Sequence, residues 1–265
     1  MQKIDGGFMK KLLSVAALAL FAGLAFAGGK KDAVVINSVA DLEGKKIGVQ
    51  AGTTGELYVQ ENVAGAKISS FKSGIDAALD LKNGAIDAVV LDEQPAKEIV
   101  ARNKDLKIVT DKFAREEYAI AVKKGNTELL ESINATILKM KENGEYEQLV
   151  NAFMPSDGNI VIPPAPFLTS SKILRLGTNA AFPPFEYVEG KDIVGFDITM
   201  GNKIAQDANA ALIVVDMAFD SLIPALSSGA IDFIAAGMSV TDERKKNVDF
   251  SVPYFESEQV IIVRK

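Results

Sequence analysis

LKNGAIDAVVLDE (81–93) and LSSGAIDFIAAGM (226–238) are two copies of one pattern. Each opens on the end of a run with helical apolar spacing: Ile75, Ala78 and Leu79 before the first, Pro224, Ala225 and Leu226 before the second. A glycine stops the run, Ala-Ile-Asp turns the chain, and a strand-like apolar stretch follows that ends in a polar loop. The first loop is DEQP (92–95) and the second is GMSVTDER (237–244). Chance likeness of two βαβ units is the competing explanation, because echoes this short carry little weight alone.

Outward from these copies the chain keeps alternating. KIGV (46–49) reads as a buried strand with the turn GTTG (52–55) after it, and 55–62 as the start of a helix. KIVT (107–110) and YAIAV (118–122) read as further strands, and 128–140 and 145–153 as amphipathic helices. PSDGNIVIPPAPFLTSS (155–171) has no helical period and reads as a linker. Strand–helix alternation then resumes with ILRLG (173–177), a helix over 198–209, a strand over 211–215, a helix over 222–227 and a strand over 231–235. Short strands alternating with helices predict an α/β fold with helices covering parallel sheets. In such sheets ligands sit beyond the carboxyl ends of the strands, where both polar loops lie.

Composition narrows the chemistry. The 265 residues are 48% hydrophobic and 24% charged, with a net charge of −6, so neither nucleic acid nor an anionic membrane is the expected partner. There is no His and no Cys, which excludes His-based catalytic triads, His and Cys metal ligands, thiol chemistry and disulfides. No metal and no cofactor is expected. At the N-terminus, Met9-Lys10-Lys11, the apolar run 12–26 and Ala25-Phe26-Ala27 form the three parts of a signal peptide, 1–27, with Met9 an alternative start to Met1. A buried N-terminal helix is the other reading of that run. No Cys follows Ala27, so the expected product is an exported periplasmic protein without a lipid anchor.

Several residues at strand ends suit a ligand. NAAFPPFEY (179–187) offers Phe182 on a loop stiffened by two prolines. Thr241 or Asp242 is placed to cap a helix beginning near Glu243, and Arg244 falls in its first turn. A cation there opposes the helix dipole, a small cost that makes sense if the guanidinium and the free amides share an anion. Arg244 matches a carboxylate bidentately, and Asp92 at the end of the first copy's strand suits an ammonium group. Each has a plainer reading too: Phe182 as packing, Arg244 as a solvated helix face, Asp92 as the cap of the helix that carries 96–100.

Taken together, GTNAAFPPFEY (177–187), GFDI (195–198), FDSLIPAL (219–226), AAGMSVTDERKK (235–246) and VDFSVPYFES (248–257) resemble the first segment of the periplasmic polar-amino-acid-binding proteins of ABC importers, the family 3 solute-binding proteins. NSVADLEGKKIGVQAGTTGE (37–56), AVVLDEQPA (88–96), YAIAVKKGN (118–126) and NGEYEQLVNAFM (143–154) resemble the rest of that family. The family's order is reversed, so the resemblance implies a circularly permuted, two-lobed type II periplasmic-binding-protein-like fold. It places one continuous lobe at 32–111 and the other at 112–265: a crossing strand, the terminal helices, the linker 155–171 and the main segment 172–265. A single covalent crossing near 111–118 and a loosened hinge are the expected consequences, unless the C-terminal strand keeps its old neighbour.

Carried over by position, the resemblance implies that Arg244 holds a ligand α-carboxylate, helped by Ser239 and the amides near Gly237 and Thr54. Asp92 takes the α-ammonium, Phe182 and Phe219 flank the ligand side chain, and Asn179, Gln50 and Thr53 complete the site. Asn179 stands where many members that take basic amino acids or glutamine carry Asp. That favours a neutral polar ligand, while Glu186 and Glu93 leave a cationic one open. The implied partners are a small amino acid and the membrane subunits of an ABC transporter, the implied assembly a monomer, and the implied mechanism closure around the ligand. Two alternatives remain: a cyclohexadienyl (prephenate or arogenate) dehydratase-like enzyme using Glu186 or Glu93 as general acid, and a ligand-sensing domain.

Overall fold

Gly48 and Gly177 explain why the two copies fold alike. A Cβ on Gly48 would lie 2.6 Å from Ile86 Cδ1, and one on Gly177 would lie 2.2 Å from Ile231 Cδ1. In each copy the isoleucine of Ala-Ile-Asp therefore packs directly on a neighbouring strand, where only glycine leaves room. The aspartate of each copy then clips that strand two residues before its glycine. Asp87 N–H donates to Lys46 O (2.8 Å) and its carboxylate accepts from Lys46 N (2.9 Å). Asp232 N–H donates to Arg175 O (2.8 Å) and its carboxylate accepts from Arg175 N (2.8 Å).

The computed structural model describes residues 35–165 and 169–265; the signal-peptide reading of 1–27 lies outside them, as does the middle of the linker. Within them, β1 (Lys46–Gln50), α1 (Thr54–Asn62), β2 (Lys67–Phe71), α2 (Gly74–Lys82), β3 (Ala88–Asp92) and α3 (Glu93–Arg102) form an α/β segment. β4 (Leu106–Tyr118), β5 (Ala121–Lys123), α4 (Thr127–Glu142) and α5 (Glu145–Phe153) follow. After residues 155–165 and 169–171, which hold no helix or strand, come β6 (Ile173–Thr178) and a small antiparallel sheet of β7 (Ala181–Phe182), β8 (Glu186–Glu189) and β9 (Asp192–Val194). The chain ends with α6 (Phe196–Asp207), β10 (Ala211–Asp216), α7 (Leu222–Ser228), β11 (Phe233–Ile234), α8 (Asp242–Lys245), β12 (Val248–Phe250) and β13 (Phe255–Arg264).

The two large sheets have the same architecture. One runs β2-β1-β3-β13-β4 and the other β10-β6-β11-β5-β12. In each, three parallel strands are joined by an antiparallel fourth and then a fifth antiparallel to that one. Each sheet takes its fourth strand from across the molecule: β13 inserts between β3 and β4, and β5 between β11 and β12.

This arrangement corrects the sequence reading at several points. Residues 112–118 and 255–264 sit in the first sheet, as parts of β4 and β13, not with the rest of 112–265. The chain therefore passes between the sheets twice, at 118–121 and at 250–255, rather than once. The C-terminal strand is paired on both sides, with β3 from Gln259↔Asp92 to Ile262↔Val89 and with β4 from Phe255↔Tyr118 to Arg264↔Leu106 across two register irregularities. The strands expected at 107–110 and 118–122 are one 13-residue strand followed by a short one. Residues 92–95 are not a free loop, since Glu93 already begins α3. Helix α2 buries Gly74, Ala77, Ala78 and Leu81, while Ile75 (48% exposed) and Leu79 (57%) face solvent. That buried face begins with a glycine because Gly74 lies against Leu91, where a Cβ would come within 2.7 Å of Cδ2.

At the crossing the core is aromatic. Tyr118, Phe185, Phe196, Tyr254 and Phe255 pack edge-to-face or stacked, with ring centroids 5.0–6.4 Å apart. Among the described residues, no helix is long and apolar enough to cross a membrane.

Candidate functional site

All ten residues singled out in the sequence (Gln50, Thr53, Thr54, Asp92, Asn179, Phe182, Phe219, Gly237, Ser239 and Arg244) line one small cavity between the two sheets, together with Glu186 and Ala236. The space has room for about one water molecule. Contacts across it hold the two halves together. Gln50 Nε2 donates to Asn179 Oδ1 (3.0 Å), and Arg244 Nη2 donates to Gly52 O (3.0 Å).

Arg244 is placed by the local sequence. Thr241 caps α8 by accepting from Arg244 N (3.1 Å), so the guanidinium starts from the first turn, lies over the Phe219 ring (5.3 Å) and donates to Ser239 O (2.7 Å). It is only 9% exposed, and among the described residues no carboxylate comes within 4.0 Å of it. Burial pulls its pKa below the usual arginine range, opposed by the charges of Glu116 and Asp92. A cation buried in this state, without a carboxylate bonded to it, is costly.

Asp92 stands at the N-cap of α3 without capping it, which removes its plainer reading. Its Oδ1 instead accepts from Tyr118 Oη (2.7 Å), Gln259 Nε2 (3.0 Å) and Ser257 Oγ (3.4 Å). Burial, then the Glu116 charge, push its carboxyl up to about 7, against the lowering effect of the Tyr118 and Gln259 hydrogen bonds.

The other residues divide into those with free chemistry and those already committed. Thr53 caps α1 and donates to Gln50 O (2.8 Å), so its hydroxyl is structural. Gly237 lines the cavity, but its amide donates to Asp197 Oδ2 (2.8 Å), which removes it from the set expected to hold a ligand carboxylate. Its φ of +53° and the 2.7 Å approach of Phe182 to a would-be Cβ exclude any larger residue. Asn179 is held by donating to Met217 O (2.9 Å), and Phe182 stacks on Phe185. Glu93 is outside the cavity: hydrogen bonds and ion pairs to Lys112 (2.8 Å) and Lys97 (3.0 Å) outweigh its partial burial and keep its pKa low. It is therefore removed as a candidate acid.

Four more side chains, which do not line the cavity themselves, support residues that do, and sequence reasoning does not single them out. Glu116 accepts from Thr54 Oγ1 (2.7 Å), Ser239 Oγ and Gln259 Nε2 (3.2 Å). Gln259 arrives from the last strand. Tyr118 holds Asp92. Asp197 lies behind Glu186, where burial pushes Asp197 up to about 6 and Glu186 well above the usual carboxylate range, the latter also through Asp197's charge. A proton on Glu186 donated to Asp197 satisfies an otherwise unpartnered pair, Glu186 Oε2 and Asp197 Oδ1. Only the motifs around these residues were visible in the sequence. Their convergence depends on β13 pairing with β3 and β4, which no local pattern encodes.

With this geometry in hand, likeness to known proteins is informative. Residues 174–265 match the model for bacterial extracellular solute-binding proteins, family 3. The chain is 44% identical over 97 residues to the arginine-binding extracellular protein ArtP of Bacillus subtilis, covering 37% of this chain and 38% of that one. It is 40% identical over 102 residues to a probable histidine-binding protein of Neisseria gonorrhoeae, covering 38% of each. It is 33% identical over 123 residues to the L-cystine-binding protein TcyJ of Escherichia coli, covering 46% of each. The chain thus spans under half the length of these relatives in the matched region. Arg244, Ser239, Gly237, Phe219, Phe182 and Asn179 all fall inside the stretch, residues 174–265, that is similar to the family 3 bacterial extracellular solute-binding proteins.

Proposed function

We propose that this protein is an extracytoplasmic solute-binding protein that captures a polar amino acid between two lobes and presents it to the membrane subunits of an ABC transporter. The observation that carries this reading is the pairing of opposites around one cavity: a buried guanidinium, Arg244, from the half built on the second sheet, and a buried carboxylate, Asp92, from the half built on the first. An α-carboxylate on Arg244 and an α-ammonium on Asp92 would neutralise both buried charges. Phe182 and Phe219 would flank the ligand side chain, whose end meets the Gln50 and Asn179 amides. With Glu93 outside the cavity and Glu186 holding a proton, that end favours a neutral polar group over a cationic one.

The relatives' names, binders of arginine, histidine and cystine, support amino-acid binding over the dehydratase-like alternative. We read the lobes as 35–118 with 255–264, and 119–254. The C-terminal strand seated between β3 and β4 supports the reading that the chain is a circular permutation of the family's order. Export through 1–27 to the periplasm, without a lipid anchor, and action as a monomer complete the proposal. Ligand bridging both lobes favours the closed form, which is what the transporter would recognise.

A thermal-shift screen of the mature protein against the common amino acids tests it. A ligand at 100 times its Kd adds about 2.7 kcal/mol of stability by mass action. The expected result is a shift with one or a few polar amino acids that Arg244→Ala abolishes. No shift with any of them would end the reading.

A further inference from the structure

We infer that Glu116, by accepting from the Thr54 and Ser239 hydroxyls that line this cavity, holds its carboxylate end in reserve, so that a ligand carboxylate takes those hydroxyls only by displacing it. The inference rests on the proposed amino-acid site and deepens it.

Glu116 projects from β4, the strand that crosses between the halves, two residues before Tyr118 and on the same face. One of its oxygens accepts from Thr54 Oγ1 (2.7 Å) and from Ser239 Oγ, and the other accepts from Gln259 Nε2 (3.2 Å). Thr54 stands on α1 beside the first sheet and Ser239 beside the second, so a single carboxylate ties the halves together. These two hydroxyls are the ones an incoming carboxylate would need alongside Arg244. Glu116 is the largest neighbouring charge acting on both Arg244 and Asp92. It partly compensates the first without bonding to it and disfavours ionisation of the second. Arg244 meanwhile spends its fork on two backbone carbonyls, Ser239 O and Gly52 O.

The side chain has somewhere to go. Glu116 is half-buried, with exposed Arg115 and Glu117 on either side. The strand is irregular just before it: Ala114 has φ 48°, and the β4–β13 register shifts between Glu258 and Gln259. A ligand carboxylate can therefore take over the Thr54 and Ser239 hydroxyls together with Arg244 while Glu116 swings to water. A ligand lacking a carboxylate leaves Glu116 in place and keeps its charge as an ally. The residue thus sets how strongly the site prefers amino acids over the corresponding amines.

Titration calorimetry on the mature protein and on Glu116→Gln tests this with three matched pairs: L-glutamine and 4-aminobutanamide, L-arginine and agmatine, L-histidine and histamine. Glu116→Gln removes the charge at constant shape, so it should bind the amino acid of at least one pair about tenfold more tightly than the parent does, with the amine unchanged or weaker. Glu116→Ala should move the same way, which guards against a misplaced glutamine amide. An amino acid that binds the parent and is held equally or more weakly by both variants overturns the inference, because Glu116 would then be serving the ammonium. Failure of these three amino acids and of every other common amino acid in the thermal-shift screen sinks the amino-acid reading itself, and this inference with it.

Discussion

The stretches 46–92 and 175–237 follow matching paths through the two large sheets and part company only at the carboxyl edges. Gly48 and Gly177, Ile86 and Ile231, and Asp87 and Asp232 occupy matching places and make matching contacts. Two residues beyond each glycine stand Gln50 and Asn179, which bond to one another across the cavity. Five residues beyond each aspartate, however, one half has Asp92 and the other Gly237, whose successor loop carries Arg244. The packing residues repeat because each sheet must solve the same steric problem. The strand-end residues diverge because a ligand with unlike ends needs unlike partners.

The sharpest break in that symmetry is charge, and its removal should have the largest effects. Arg244→Ala deletes the one buried cation of the site and should weaken amino-acid binding more than 100-fold, roughly the 2.7 kcal/mol or more expected for a buried charge-assisted pair. Asp92→Asn should cost less, about 10- to 100-fold, because the carboxyl gives up part of its charge at neutral pH. With a pKa of about 7, Asp92 is the ammonium's partner only above that pH, so binding by the parent should strengthen as pH rises from about 6 to 8. In Asp92→Asn the slope should vanish. Ligand-free stability should run the other way. Asp92 keeps its proton in the folded state after the unfolded chain has lost it near pH 4, so its contribution is present at acid pH and lost as pH rises through about 7. Calorimetric titrations and melting curves at pH 5, 6, 7 and 8 read both effects; parallel slopes in parent and variant would remove Asp92 from the ligand's path.

How far the sequence reveals this depends on the range of the interactions. The Gly-Ala-Ile-Asp turns, α5 at Glu145–Phe153 and the Thr241 cap are local devices and are legible in single motifs. β4 is not: DKFAREE (111–117) is polar and lacks strand alternation, because as an edge strand it pairs with β13 alone and buries little. The face of α2 was misjudged for a related reason: its small residues pack the core while Ile75 and Leu79 face out, a choice made by Leu91 on another element. Glu116 and Gln259 are 143 residues apart and meet only through the irregular β4–β13 register. The ten cavity residues were proposed from family likeness combined with strand-end placement, and neither reaches side chains that long-range pairing delivers.

A smaller effect tests whether the halves are alike in packing as well as in pattern. Gly48→Ala and Gly177→Ala should each destabilise by roughly 1–3 kcal/mol, the usual cost of overpacking, reduced slightly by the stiffer unfolded chain. At Gly177 the clash is mainly with Ile231 (2.2 Å) and next with Leu222 (3.2 Å), both flexible side-chain ends. At Gly48 the new methyl would meet Ile86 (2.6 Å), Ala77 Cβ (3.2 Å) and Phe71 (3.2 Å), so fewer neighbours can yield. Urea midpoints should place Gly48→Ala at or below Gly177→Ala; free tolerance at either site would mean the echo is one of sequence without shared packing.

The smallest difference lies in the two aspartates. Both accept a strand backbone amide, but Asp232 also binds the Arg175 guanidinium through Nε (3.0 Å) and Nη2 (2.8 Å), whereas Asp87 accepts only the Lys46 amide. Arg175 is 40% exposed, so solvent screens the ion pair and it contributes well under 1 kcal/mol. Asp87→Ala should therefore cost about 0.5–1 kcal/mol for one exposed hydrogen bond, and Asp232→Ala only a few tenths more. That excess has a signature of its own. The Arg175 hydrogen bonds and charge hold Asp232 below the usual carboxylate range despite the opposing effect of burial, so its contribution is present above about pH 4 and fades as pH falls through the lowered value. The gap between the two variants should close at pH 3 and shrink in 1 M salt. A gap indifferent to both would mean that the Asp232 carboxylate acts only as the backbone acceptor, the role it shares with Asp87.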